Sequence, residues 1–223
     1  LLDVGGESTR PYSPPVDAEE ELRRVLPVVK ALAVQAQVPV SIDTSKAAVA
    51  QAAIEAGAEI VNDVTGLEGD PAMVPVAART GVGVCAMHML GTPQTMQDRP
   101  RYEDVVEAVS KYLGARRDAL VAAGVALERI ALDPGIGFGK RTEHNLELLS
   151  HAFRFHALGC PVLIGHSRKG FIRRVLNDSN ADPLAGTIGV ALAMARQGVQ
   201  VLRVHDVGPV REALLLFEAA AGY

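Results

Sequence analysis

The chain has 223 residues, and 22 Lys plus Arg against 26 Asp plus Glu give a formal net charge of −4, which leaves no broad basic face for nucleic acid. With 48% hydrophobic and 22% charged residues, the composition is that of a globular protein able to bury a core, and a fibrous or tail-like chain is excluded. No window approaches the ~20 apolar residues of a membrane span, the opening Leu1-Leu2-Asp3-Val4 has no charged signal-peptide region, and the only cysteines, Cys85 and Cys160, lack C-x-x-C spacing. A cytoplasmic, disulfide-free protein that meets no membrane is the expectation.

In chain order, a first short strand, Leu1 to Val4, is followed by a helix over Asp17 to Gln37. Asp17 and Glu20 make a capping box there, and Leu22, Val25, Leu26, Val29, Leu32 and Ala33 share one face. Pro39 opens the strand Val40 to Asp43, and Thr44 is placed to cap a helix running to Gly57. Strand Glu59 to Val61 leads to a helix started by Asp70-Pro71 and stopped by Gly81. Strand Val82 to Met87, a helix over Tyr102 to Ala123, strand Arg129 to Leu132 and a helix over Thr142 to Leu158 follow. The remainder reads as strand Pro161 to Ile164, helices near Gly170 to Leu176 and Leu184 to Gln197, strand Gln200 to Val204, and a closing helix Val210 to Ala221.

Alternating apolar strands and helices define an α/β protein with a parallel, helix-covered sheet, either a closed barrel or an open doubly wound sheet. The strands exit into Asp3, Asp43, Asn62 with Asp63, His88, Asp133, His166 with Ser167, and Arg203 with His205 and Asp206. Polar residues at every strand end suit a barrel's active rim, whereas an open sheet gathers function at one switch point. The expectation is therefore a (β/α)8 TIM barrel in one domain, residues 1–223. Seven strands are visible, and the first strand and its loop are expected to be missing from the N-terminus, because such barrels have eight strands in ~250 residues.

Asp133-Pro134-Gly135-Ile136-Gly137-Phe138-Gly139-Lys140 invites a nucleotide-loop reading and fails it. Pro134 stands where a Walker loop needs Gly, Arg141 where it needs Ser or Thr, and Phe138 where the dinucleotide fingerprint needs Gly. Gly165-His166-Ser167-Arg168-Lys169 lacks the second Gly of a nucleophile elbow, and the scattered histidines make no tight zinc motif. Asp43 fits either a loop-bonding carboxylate or a ligand contact. With Asp133 and Asn62 on neighbouring rim positions, a ligand with a paired N–H edge would satisfy buried carboxylates, and a 2-amino-4-oxo-pyrimidine has one. Lys169 could meet that ring's carbonyl or stand in solvent at a helix start. Arg10, Arg203 and His205 around one mouth suggest an anionic, phosphate-bearing substrate, although Arg203 could pair with Asp206 instead. Residues Glu7 to Pro11 form a polar loop of the kind that closes over a barrel substrate or simply connects elements.

The segments Asp3-Val4-Gly5-Gly6-Glu7-Ser8-Thr9-Arg10-Pro11, Ser41-Ile42-Asp43-Thr44-Ser45-Lys46, Val61-Asn62-Asp63, Met87-His88-Met89, Asp133 to Lys140, Ser167-Arg168-Lys169 and Arg203-Val204-His205-Asp206 together resemble the dihydropteroate synthase family, in order over the whole chain. The resemblance implies attack of 4-aminobenzoate on 6-hydroxymethyl-7,8-dihydropterin diphosphate, with Mg2+ carried on the diphosphate, sulfonamides competing with aminobenzoate, and a homodimer. By position it implies that Asp43, Asn62 and Asp133 hold the pterin edge, Lys169 its carbonyl side, and Met87 and Phe138 its walls. Arg203 packs on the ring and receives diphosphate together with His205 and Arg10. Thr9, Arg10 and Pro11 form the aminobenzoate loop, and Ser167 borders the aminobenzoate carboxylate. Arg10, Lys169, Arg203 and His205 are thus the expected catalytic set. The family's first strand carries the metal-binding Asn, so no metal ligand is expected among these residues, and Gly170 replaces a larger residue of the family. Folate-binding methyltransferase domains and a non-catalytic pterin-binding remnant are the competing readings.

Overall fold

A computed structural model describes residues 1–222 and follows the alternation in chain order. Its first half contains β1 (Leu2–Gly5), α1 (Ala18–Gln35), β2 (Val40–Asp43), α2 (Ala47–Glu55), β3 (Ile60–Asp63), α3 (Met73–Thr80) and β4 (Gly83–Met87). Next come α4 (Val105–Ala122), β5 (Ile130–Asp133), α5 (Thr142–Ser150), β6 (Leu163–Ile164), α6 (Gly170–Leu176), α7 (Pro183–Arg196), β7 (Val201–Leu202) and α8 (Val207–Ala221).

Strands β1 to β5 pair in sequence order, each parallel to the last. A single bridge between Leu132 and Val162 passes the sheet on to β6, which pairs with β7. No strand is skipped and the order never reverses, which is barrel order and removes the doubly wound alternative. Among the described residues β7 and β1 share no backbone ladder. A cleft of about 630 Å³ separates them, flanked by Leu2 and Asp3 on one side and by Val201 and Arg203 on the other. That seam is where an eighth strand stands in a closed barrel.

Strands β2 to β6 are largely buried, as a helix-covered parallel sheet requires, with Ile42, Val61, Val84, Leu132 and Ile164 essentially without exposed surface, whereas β1 and β7, which flank the seam, are partly exposed. Several boundaries differ from expectation for identifiable reasons. Helix α1 starts as read, with Asp17 accepting from the Glu20 amide at 2.8 Å, but Glu20 turns outward to Arg23 and Arg24, so only half the capping box forms. Helix α2 starts three residues after Thr44, and its first amide, Ala47, bonds Asp70 Oδ2 at 2.9 Å from the loop before α3. The helix expected over Thr142 to Leu158 ends at Ser150 and continues as a 3-10 segment, Ala152–Leu158. Strands β6 and β7 are shorter than the runs that predicted them because each finds ladder partners over two residues only.

Candidate active site

Because all strands are parallel, their C-terminal ends share one rim. Asp43 closes β2, Asn62 and Asp63 close β3, Asp133 closes β5, and Arg203 follows β7. The guanidinium of Arg203 donates through Nε to Asp3 Oδ2 at 2.5 Å and through its terminal nitrogen to Asp43 Oδ2 at 2.9 Å. Asn62 donates to the same Asp3 oxygen at 3.1 Å. Arg203 does not pair with Asp206. That carboxylate is held by Arg168 at 2.9 and 2.5 Å.

Burial, together with the neighbouring Asp3 charge, raises the Asp43 carboxyl to about 7, against the opposing pull of Arg203. Asp133 is buried and also raised by burial, opposed chiefly by Lys169 and by the Gly135 amide, which donates to Oδ1 at 2.7 Å. Burial lowers the Lys169 ammonium to about 8 against the attraction of Asp133. Its Nζ donates to the Ile136 carbonyl and lies 4.4 Å from the centroid of Phe138, a cation–π contact across the β5–α5 loop. His205 is lowered by burial and by Arg168 and Arg203, and both its amide and Nδ1 meet Ser167 Oγ, at 3.2 and 3.0 Å.

A cavity of about 990 Å³ opens on this rim. Thr9, Arg10 and Pro11 line one wall, Asp43 and Arg203 the floor region, and Phe138, Ser167, Lys169 and His205 the remainder. Nine of the residues expected from sequence therefore share one cavity. Asn62 faces the seam cleft instead, where Arg203 and His205 also reach. Met87 and Asp133 lie outside both linings, at 4% and 6% exposure.

Not every polar strand end serves the cavity. His166, without exposed surface, hydrogen-bonds through Nε2 to the Thr187 carbonyl at 2.9 Å, which ties β6 to α7. Asp63 takes the Thr65 amide and hydroxyl, both at 2.8 Å, in a local turn. His88 meets Lys140 Nζ at 2.9 Å, and burial with the Lys140 charge lowers it to about 3. Gly135 passes so close to this point that a Cβ there would lie 1.9 Å from the His88 carbonyl oxygen. Lys140, at the end of the β5–α5 loop, finds its partner on β4's exit, 52 residues away. Asp3, Met96 and Gln97 were also not assigned to the site by sequence. Gln97 donates to the Gly137 carbonyl at 2.9 Å and so brings the β4–α4 loop onto the cavity. Only Asp3 carried a signal, its place at a strand end.

A cavity in which the Asp43 carboxylate meets Arg203, with Arg10, Lys169 and His205 also in its lining, makes this α/β barrel an enzyme built for a small anionic substrate with a hydrogen-bonding ring edge. Residues 1–205 match the family described as pterin binding enzyme. The chain is 44% identical over 219 residues to the dihydropteroate synthase of Escherichia coli K12, covering 98% of this chain and 77% of that one. The Yersinia pestis dihydropteroate synthase, solved as a complex with a sulfonamide drug, superposes with a TM-score of 0.94 at 42% identity, over 99% of this chain and 80% of that one. The Xanthomonas albilineans enzyme, solved with 4-aminobenzoic acid and in complex with 7,8-dihydropteroate, gives TM-scores of 0.92 and 0.89 at 42% and 40% identity, over 100% of this chain and 79% of each. The chain belongs to the dihydropteroate synthase family of pterin-binding barrel enzymes.

Proposed function

We propose that this chain condenses 4-aminobenzoate with 6-hydroxymethyl-7,8-dihydropterin diphosphate, giving 7,8-dihydropteroate and diphosphate for folate synthesis, and that sulfonamides compete for the aminobenzoate position. The observation that carries the reading is the single cavity in which Arg10, Arg203 and His205 stand over Asp43, Phe138 and Lys169. Asp43, Asn62 and Asp133 hold the pterin edge, which requires Arg203 to release Asp43 and stack on the ring. Lys169 meets the ring carbonyl, and Met87 supports the wall from behind. Ser167 borders the aminobenzoate carboxylate, and Thr9, Arg10 and Pro11 close over it.

The aryl amine is neutral and nucleophilic at pH 7, so the barrier lies in the departing diphosphate rather than in deprotonation. Arg10, Arg203 and His205 stabilise the charge that develops there, and the buried carboxylates stabilise positive charge on the pterin methylene. The described residues contain no group of three or more His, Cys, Asp or Glu able to cage a metal. Mg2+ would be held mainly by substrate phosphates and water, where it would neutralise the leaving group. Residues 1–223 are read as one cytoplasmic domain. Both cysteines are free, and no helix among the described residues is long and apolar enough to cross a membrane. A homodimer accords with Leu215 and Leu216 of α8, which are 48% and 72% exposed.

The test is aminobenzoate-dependent release of diphosphate from the dihydropterin substrate with Mg2+, the product being identified by mass. Dihydropteroate is expected. Pterin binding that ignores the diphosphate, with no product, would point to the methyltransferase-like or non-catalytic readings.

A further inference from the structure

The loop between β1 and α1 carries Thr9, Arg10 and Pro11 into the cavity, yet its own tip is weakly held. Its contacts with the β4–α4 loop are Tyr12 N to Pro93 O at 3.1 Å, the Tyr12 hydroxyl to Asp98 at 3.4 Å and Gln94 to Ser13 O at 3.2 Å. The Arg10 guanidinium has no protein partner among the described residues, so the loop backbone alone decides where that charge stands.

The neck of the loop is built differently. Glu7 Oε1 accepts from the Val16 amide at 2.9 Å, joining the two ends of the loop. Glu7 Oε2 accepts from Lys46 Nζ at 2.5 Å, and the same ammonium donates to Glu21 Oε2 at 2.6 Å. Glu21 lies on α1 with no exposed surface, and its second oxygen has no partner. Gly6 is pressed onto the same helix, where a Cβ would stand 2.8 Å from Glu21 Cγ. Burial alone would lower the Lys46 ammonium; the bonds to Glu21 and Glu7 outweigh it and leave it raised. One cation therefore separates two carboxylates, one of which sees no water, and without it the two anions would face each other across the loop neck.

We propose that Lys46 is a positioning residue for the reaction: through Glu7 it clasps the neck of the loop and thereby sets where Arg10 meets the departing diphosphate. The inference rests on the reading of Arg10 given above. Lys46 touches no substrate and acts through the loop.

The variants Lys46→Met and Glu7→Ala test it, the second leaving the Lys46–Glu21 pair intact should the first fold poorly. Each is expected to lower kcat/KM for aminobenzoate by roughly ten- to hundredfold, the effect of misplacing a clamping group. Affinity for a dihydropterin lacking diphosphate should stay at the parent value in calorimetry. Glu7→Gln, which keeps the acceptors, should recover much of the loss. In an Arg10→Ala background, Lys46→Met should cost nothing further, since its effect runs through Arg10. Amide exchange over residues 8–16 should rise in both variants while β2 stays protected. Parent-like kinetics with parent-like exchange, or losses that add in full to Arg10→Ala, would overturn the proposal. If the parent makes no dihydropteroate, the reading of the reaction fails; loop exchange still reports whether the clasp exists.

Discussion

Asp133 shows what a single position says and conceals. Its place at a strand end marked it as a rim residue, and the structure gives it a buried carboxyl, raised by burial, that accepts from one loop amide and feels Lys169. Such a group is costly to the fold until a ligand donates to it. Asp133→Ala is expected to fold and to lose pterin affinity by about 1.5–3 kcal/mol, roughly ten- to hundredfold, the value of a charge-assisted bond. Calorimetric titration with a pterin checks this, and unchanged affinity would remove Asp133 from the site. The partners of Arg203 were not legible in the same way. A neighbour in sequence, Asp206, was the alternative partner, but it belongs to Arg168, and Arg203 reaches Asp3 and Asp43, 200 and 160 residues away. Polar strand ends can be read from sequence because the chain's alternation fixes them; their pairings cannot, because those depend on how the strands are arranged around the barrel.

The elements divide along the same line. Helix starts are governed by their own sequence at two places: Asp17 caps α1 as expected, and α4, expected from Tyr102, starts at Val105, where Asp104 caps it through the Glu107 amide at 2.8 Å. The start of α2 is set by another element. Asp70 gives Oδ2 to the Ala47 amide and Oδ1 to the Ala72 amide, both at 2.9 Å, so one carboxylate serves α2 and the turn entering α3. Thr44, the residue that looked like the cap, binds the Lys46 amide at 3.2 Å and leaves the first helical amide to Asp70. Asp70→Ala should therefore cost about 1–2 kcal/mol of stability in urea unfolding, the upper range for a lost cap because two segments share it. Kinetic constants should change little, since Asp70 lies outside the cavity lining. A loss below a few tenths of a kcal/mol would show that water replaces the carboxylate at no cost.

At the scale of the whole molecule, the strands run in order from β1 to β7, and among the described residues no backbone ladder joins the two ends. On the site side, the contact across that gap is ionic: Arg203, just beyond β7, holds Asp3 on β1 and Asp43 on β2. The residue proposed to receive diphosphate is thus also the one that draws the two ends of the sheet together, which couples stability to pH. Burial holds the Asp43 carboxyl at about 7 in the folded chain, well above the ordinary carboxylate range, so its contribution to stability is full below about 4 and is lost as pH rises through 7. Arg203 limits that loss because it lowers the carboxyl. In Arg203→Ala the folded carboxyl rises further and the loss on ionisation deepens. The variant is therefore expected to lie close to the parent at pH 5 and well below it at pH 8. A gap of about 1–2 kcal/mol is expected at pH 8, toward the modest end of the range because the Arg203 side chain is 44% exposed and partly screened. Thermal unfolding of both proteins at the two pH values measures it, and faster amide exchange in β1 and β7 at pH 8 should accompany it. An equal gap at both pH values would mean that Arg203 supports the molecule by its bond to Asp3 or by packing its stem rather than by neutralising Asp43.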